Sequence, residues 1–484
     1  MTSDGYLDSI TNPAGEAITL GYKDGGLLTS LKDSRGNTYL YTYDDTGRLI
    51  KDEDPAGGFK TLVHTEGADR SYTVSLSTAL GRTTNYQVTE DTLNNEIKKN
   101  TLPSGLVTES TQRPDGTSTY KSPDGTKVDL TLGPDPRWGM QAPLTSNLSL
   151  TLPSNLISTI TTTRSVTLAD PLDKLSLTSQ TDTLNVNGRT YTSAYDATTK
   201  TVTITTPQGR KGKVVIDSQG RLVEEQDADL IPVNYTYDSQ GRLATVTEGS
   251  GTETREVGFT YDSDGNLSTI TDPIGRTTTF EYDTAGRVTS QALPDSRVIR
   301  TSYDANGNVT AVTPPERSDH GFSYTPVDLT SSYTPPDLGA GTEETQYEYN
   351  LDRQLTRITR PDGLILDVGY DNAGRLSALT LPEGQITYSY HTGTGNLSTI
   401  TDSGGSTLSY TYDGLLLKGS TWSGTISGSI GHTFDNNLRI TSQSVNSSNT
   451  INLQYDNDSL LTAAGSLTLS RDTQNGLMLT CTLF

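Results

Sequence analysis

A short frame, aromatic-Asp-x-x-Gly-Arg/Asn-Leu/Val, returns along this chain every 20–24 residues wherever it runs consecutively. A repeat of that length decides the architecture before any local pattern does. Full copies stand at Tyr43-Asp44 with Gly47, Tyr237-Asp238 with Gly241, Tyr261-Asp262 with Gly265, Tyr282-Asp283 with Gly286, Tyr303-Asp304 with Gly307, and Tyr370-Asp371 with Gly374. Degenerate copies begin at Tyr22, Tyr195, Ile216, Tyr349, Tyr390, Tyr412, Phe434 and Tyr455. These Tyr, Asp and Gly residues are expected to act as structural anchors of the repeat.

Within one period the residues point to strands and tight turns. Thr277-Thr278-Thr279-Phe280-Glu281-Tyr282 has the Thr and aromatic content of a half-buried pleated strand. In the Asp-x-x-Gly that follows, Asp caps its own backbone and Gly accepts a positive φ. A short strand such as Arg287-Val288-Thr289-Ser290-Gln291 comes next, and then a second turn built on Pro-x-Gly. Asn12-Pro13-Ala14-Gly15, Asp54-Pro55-Ala56-Gly57, Asp272-Pro273-Ile274-Gly275 and Arg360-Pro361-Asp362-Gly363 are of this kind, and Leu381-Pro382-Glu383-Gly384 belongs with them. Each period is therefore a β-hairpin, and no helical pattern longer than a turn is present. A lone hairpin cannot bury a face, so neighbours must stack edge to edge into one continuous sheet.

The expected fold is all-β: a spiralling antiparallel hairpin array forming a hollow shell, complete or partial. Residues 1–484 form a single array, with N-terminal repeats at 1–133 and a degenerate β insertion without anchors at 134–190. Regular repeats follow at 191–312, a Pro-rich insertion at 313–344 and C-terminal repeats at 345–484. Composition agrees with a wall rather than a filled core. Apolar residues counted with Gly and without Tyr make up about 35% of the chain, against roughly 45–50% in ordinary globular proteins.

Bulk numbers exclude several classes of function. No segment reaches the ~18–20 uninterrupted apolar residues of a membrane-spanning helix, and residues 1–5 begin no signal peptide. The single Cys481 allows no intrachain disulfide and no Cys-based metal site. A net charge of −22 with no Lys/Arg cluster argues against nucleic acid and chiefly serves solubility.

Candidate chemistry is thin. Asp at every turn invites a glycosidase reading, yet turn capping accounts for the same residues. Asp262-Ser263-Asp264-Gly265-Asn266 echoes the start of a calcium loop but lacks its later ligands. His64, His320, His391 and His432 share no ligand spacing, and His391 occupies the Asp place of a repeat. Cys481 lies among apolar residues near a strand end and is expected to be a buried or incidental thiol. The Tyr row offers a saccharide surface, although packing from one hairpin to the next explains it more simply. Sequons such as Asn147-Leu148-Ser149 are common by chance in so Ser/Thr-rich a chain. No catalytic, cofactor-binding or metal-binding residue is expected, and no cofactor.

The frame resembles the YD repeats of the RHS family, also found in teneurins and in the BC components of Tc toxin complexes. The resemblance covers nearly the whole chain and extends to turns such as Asp272-Pro273-Ile274-Gly275-Arg276 and to Tyr324-Thr325-Pro326-Val327-Asp328-Leu329. It implies a hollow β-shell enclosing a C-terminal polypeptide, often a toxin, which in many members an aspartyl autoprotease releases. No residue here matches that protease segment, so the chain is expected to be a non-enzymatic piece of such a shell. Its partner would be a C-terminal toxin or effector outside this chain, and its setting secreted or cell-surface as part of a larger protein. The alternative is an extracellular adhesion module, teneurin-like, binding a cell-surface protein or glycan. An open ribbon of this kind would also expose an edge strand for edge-to-edge self-association.

Overall fold

The computed structural model of the chain describes residues 1–68, 70–249, 251–337 and 344–483. Among these residues 43 strands join one antiparallel sheet, and there is no α-helix, only a 3-10 turn at Gly251–Glu253. Consecutive strands pair in chain order. Ser9–Thr11 lies against Ala17–Lys23 at one end and Met478–Leu483 against Leu467–Arg471 at the other. No pairing joins the first strand to the last among the described residues, so the sheet is not closed on itself.

The frame explains the hairpin geometry. In the pair Arg255–Tyr261 and Leu267–Thr271, Phe259 lies opposite Ile270 and Thr260 opposite Thr269, then the register slips and Tyr261 meets Leu267. That slip is a β-bulge, and it recurs immediately before Tyr22, Tyr43, Tyr237, Tyr282, Tyr303 and Tyr370. Alternation makes the sheet two-faced. In this hairpin Phe259, Tyr261, Leu267 and Ile270 share one face, while Thr260 and Thr269 share the other, where their hydroxyls meet at 2.6 Å.

A packed core is nearly absent. Among the described residues only Leu152, Val327 and Ala463 are buried hydrophobics. The accessible surface is 27649 Å². A compact monomer of 52.0 kDa would expose only about 17,500 Å², and two compact halves about 21,000 Å². A wall one sheet thick has this property, because each strand contacts only its neighbours and the side chains along its own faces.

The chain divides into two compact units. The first comprises Met1–Gln87, Asn100–Gly105 and Val257–Tyr388; the second comprises Val88–Lys99, Leu106–Glu256 and Ser389–Phe484. Each therefore combines an early and a late stretch of sequence. The segment 134–190 lies in the second unit with strands of up to 13 residues, against 5–7 in the hairpins at 255–313. Within the Pro-rich segment 313–344, His320–Tyr324 and Thr330–Thr334 form a hairpin of the ordinary kind. There the Thr325 hydroxyl, in place of Asp, accepts the Leu329 N–H at 3.1 Å. Residues 338–343 of that segment lie outside the described residues.

Candidate functional site

The recurring frame builds a clamp between successive hairpins. Tyr282 Oη donates to the carbonyl of Leu267, fifteen residues earlier, at 2.8 Å. The same bond runs from Tyr237 to Leu222, Tyr303 to Val288, Tyr324 to Val309, Tyr370 to Leu355 and Tyr455 to Ile440, at 2.7–2.9 Å. Each acceptor is the residue just after Gly-Arg or Gly-Asn in the preceding copy, or its equivalent. The bulge before Tyr swings the side chain back far enough to reach it. Guanidinium groups complete the joint. Arg221 lies 4.4 Å from the ring centre of Tyr237, Arg287 5.1 Å from that of Tyr303 and Arg439 4.6 Å from that of Tyr455. Tyr43, in the first full copy, receives Lys23 at 5.1 Å instead.

The Asp closes the turn from within. Asp238 Oδ1 accepts the backbone N–H groups of Gln240 and Arg242, both at 2.9 Å, and Oδ2 accepts Arg242 Nε at 2.8 Å. Asp283 and Asp371 repeat this arrangement, Asp262 and Asp304 take Asn side chains in place of Arg, and Asp44 caps Thr46 and Arg48. Gly47, Gly241, Gly265, Gly286, Gly307 and Gly374 all have φ of 78–93°, the left-handed region that a side chain strains. Donors of this kind hold Asp217 and Asp272 below the ordinary carboxylate range, the backbone N–H four residues on being the largest cause. Burial pushes Asp283 the other way, and the hydrogen bonds from Arg287 outweigh it.

A second set of contacts was not legible from the repeat. In the first unit, turns of the early strands dock against turns some 270–299 residues later. Arg287 binds both carboxylate oxygens of Glu16, at 2.9 and 3.2 Å. Arg35 donates to the carbonyls of Tyr324 and Thr325 and to Asp328, each at 3.0–3.1 Å. Arg82 meets Asp352 at 2.7 Å and Arg353 meets Asp54 at 3.0 Å. In the second unit, Arg210 pairs with Asp456 and Asp458, the Ser154 N–H is held by Asp413, and Asn187 bonds Asn437. A sequence signal did exist for part of this seam. Glu16, Arg82 and Arg210 each follow the Gly of a second turn, a charged place recurring outside the frame.

The remaining candidates are scattered. His64 stacks on Tyr72, and His320 Nδ1 lies 2.7 Å from the Tyr333 hydroxyl. His391 stands in for Asp, its Nδ1 accepting the N–H groups of Gly393 and Thr394 at 3.2 Å. Asp262 uses its carboxylate on Asp264 N–H and Asn266, not on a cation loop. Of the two expectations for Cys481, a buried or an incidental thiol near a strand end, its exposure removes the first. It is exposed in the middle of Met478–Leu483, where the outermost strand has a neighbour on one side only.

Comparison with known proteins agrees with this geometry. The profile of the teneurin YD-shell matches residues 1–482. No curated protein matches the chain. Among solved structures, the TcdB2-TccC3-Cdc42 crystal structure superposes with a TM-score of 0.63 at 12% identity, over 96% of this chain and 29% of that one. The Photorhabdus luminescens Tc holotoxin pore with a mutated TccC3 gives 0.59 at 13% identity, again over 96% and 29%. This chain thus spans under a third of either neighbour's length, and at such identity the likeness establishes the fold alone. With its clamp, capped turn and bulge repeated along a match of nearly full length, the chain belongs to the teneurin YD-shell family.

Proposed function

We propose that this chain is a non-enzymatic wall of an encapsulating shell, secreted or displayed as part of a larger protein. The enclosed polypeptide is a toxin or effector outside this chain, kept from solvent and from the producing cell by a hydrogen-bonded sheet. The observation that carries this reading is where the frame's polar groups are used. Tyr hydroxyls are given to carbonyls of the preceding hairpin and Asp carboxylates to the turn backbone. In the six full copies every Asp caps its turn, every Gly takes the left-handed φ, and Tyr237, Tyr282, Tyr303 and Tyr370 give their hydroxyls to carbonyls, which supports reading the Tyr, Asp and Gly of the frame as structural anchors, not reactive groups.

The sparse core supports the same reading, since a wall needs little apolar filling and an enclosing one has two surfaces. Electron microscopy of the purified 484-residue chain is the direct test: a curved wall one sheet thick around an interior is expected, and a flat ribbon would overturn the proposal. A glycan array is the companion test, because reproducible sugar binding by a particle without a cavity would favour the adhesion reading. The outermost strand Met478–Leu483 is exposed along its whole length and carries no charge. Concentration-dependent self-association through this edge is therefore expected in sedimentation.

A further inference from the structure

Two clefts of the first unit share one pair of side chains. Tyr39 and Tyr41 stand two residues apart on the strand Thr38–Tyr43 and so lie on the same face. One cleft, of about 560 Å³, places Glu16, Asp33 and Asp328 around them. The other, of about 380 Å³, places Asp52, Asp54 and Asp352 there together with Phe59. The cations in the two walls are Arg287, Arg353 and Lys60. Two of these are already engaged, Arg287 by Glu16 and Asp283 and Arg353 by Asp54. Arg35 and Arg82 engage Asp328 and Asp352 in turn, so four of the six carboxylates have an arginine partner and the surplus over all five cations is a single negative charge, borne by Asp33 and by Asp52, which has Lys60 directly across from it in the sheet.

An independent observation indicates a missing donor. The Asp352 side chain is only 8% exposed. Its Oδ2 accepts the Thr78 hydroxyl at 2.9 Å and Arg82 at 2.7 Å, while Oδ1 is buried with no partner. A buried carboxylate oxygen without a donor is uncommon in folded proteins. In the wall of the same cleft Gly58 is closely packed: a Cβ there would fall 2.4 Å from the Leu351 carbonyl oxygen and 2.6 Å from Asp54 Oδ2, so only glycine fits.

The aromatic rings lie in a negative field. Asp52 is directly across from Tyr41 in the sheet register. Burial and then Asp52 push the Tyr41 phenol up. Tyr39 is raised by burial, with Arg353 acting against the rise and Asp328, Asp33 and Asp54 adding to it. The same strands already hold ammonium groups over rings, Lys51 4.7 Å from the centre of Phe59 and Lys23 5.1 Å from that of Tyr43.

We propose that the clefts around Tyr39 and Tyr41 bind an organic cation, an alkylammonium or guanidinium, with the alkyl stem on the Tyr rings and the charged head among Asp52 and Asp352. A ring face and a carboxylate together are the usual partners of such a head. The cation comes either from a basic side chain of a polypeptide or from a free amine. This assignment stands whether or not the wall encloses anything.

Isothermal titration of the full chain with a penta-lysine peptide, its fully acetylated counterpart and n-butylammonium tests it. Penta-lysine is expected to bind and the acetylated peptide to lose at least tenfold. Asp52→Asn and Tyr41→Leu should each weaken binding at least fivefold, while Asp362→Asn, on an exposed turn outside the clefts, should change it less than twofold. Asp352→Asn also removes the acceptor of Arg82, so the other two variants decide, with circular dichroism checking that each is folded. Butylammonium displacing the peptide would identify a small-amine site, and failure to displace it a polypeptide site. Equal binding of both peptides overturns the proposal. So does an equal effect of Asp362→Asn and Asp52→Asn, which would mean only attraction to an acidic surface.

Discussion

The hairpins at 277–313 and the strands at 127–196 hold neighbouring strands together by different means. In the first region the strands are only five or six residues long. Each hairpin is joined to the next by a Tyr hydroxyl on a carbonyl and by Arg287 on the Tyr303 ring. In the second region Lys127–Asp135, Gly139–Thr151, Ile157–Leu168 and Leu177–Val186 run for 9, 13, 12 and 10 residues. The frame is absent from these four strands. Arg164 instead bridges Asp182, directly opposite in the next strand, and the buried Asp135. A short strand forms few ladder bonds and needs a side-chain clamp, whereas a long ladder with a cross-strand ion pair does without one.

Acid should produce the largest effect and act on both regions. Asp295 within 277–313 is held below the ordinary carboxylate range chiefly by Arg297, Asp217 and Asp272 in other repeat turns chiefly by backbone N–H groups, and Asp182 chiefly by Arg164. A carboxylate that binds its proton more weakly when folded gives stability that is complete above the ordinary Asp value of about 3.9 and is lost as pH falls through the folded values. The urea midpoint is thus expected to change little through carboxylates between pH 7 and pH 5 and to fall steeply below about pH 4. A midpoint that stays level to pH 2 would show that the capped turns contribute little.

Arg164→Ala separates the two regions. The Asp135 side chain is 1% exposed and would keep only the Arg137 and Trp138 N–H donors. Removing one partner from a buried pair typically costs 3–5 kcal/mol, and the retained donors place the expected loss near the lower end, about 3 kcal/mol. Lys at 164 should recover only part, since it cannot grip two carboxylates in a fork. Amide exchange should quicken across 127–196 and stay unchanged at 277–313; a loss spread evenly over both would contradict the local role given to this pair.

In the repeat region Gly286→Ala is expected to cost about 1–2 kcal/mol through backbone alone. Its φ is 78°, and the nearest atom to an added Cβ, Asn266 Oδ1, is at 3.6 Å, an ordinary contact. Gly286→Asn, which tolerates that conformation better, should lose less. Equal losses would point to packing rather than to φ.

The sequence made the hairpin, the capped turn and the Tyr packing legible because all are local. Tyr, Asp, Gly and Arg within one period contain their own geometry, down to the Thr325 and His391 copies where another acceptor replaces Asp. The partner of Arg35 or Arg210 was not legible. A period of 20–24 residues does not say which turn lies opposite after 250–300 residues; that depends on twist accumulated over many strands. Exposure of Cys481 was hidden for a related reason. Its neighbours Leu479 and Leu483 look like core, yet in a one-layer wall an apolar strand has no second layer to cover it.

Tyr303→Phe should give the smallest effect and the sharpest reading of the clamp. It removes one hydroxyl from the Val288 carbonyl at 2.9 Å and leaves the ring under Arg287. One such bond is worth about 1 kcal/mol, so the urea midpoint should move only slightly. Exchange should quicken in 288–303 and hardly elsewhere, because a hairpin array transmits strain only to its neighbours. The paired change Tyr282→Phe with Tyr303→Phe then tests independence. The two hydroxyls bind carbonyls of different hairpins, Leu267 and Val288, so their costs should add. A joint loss larger than the sum would mean that successive clamps support one another, and the short-strand region would then owe its order to cooperation along the ribbon more than to any single joint.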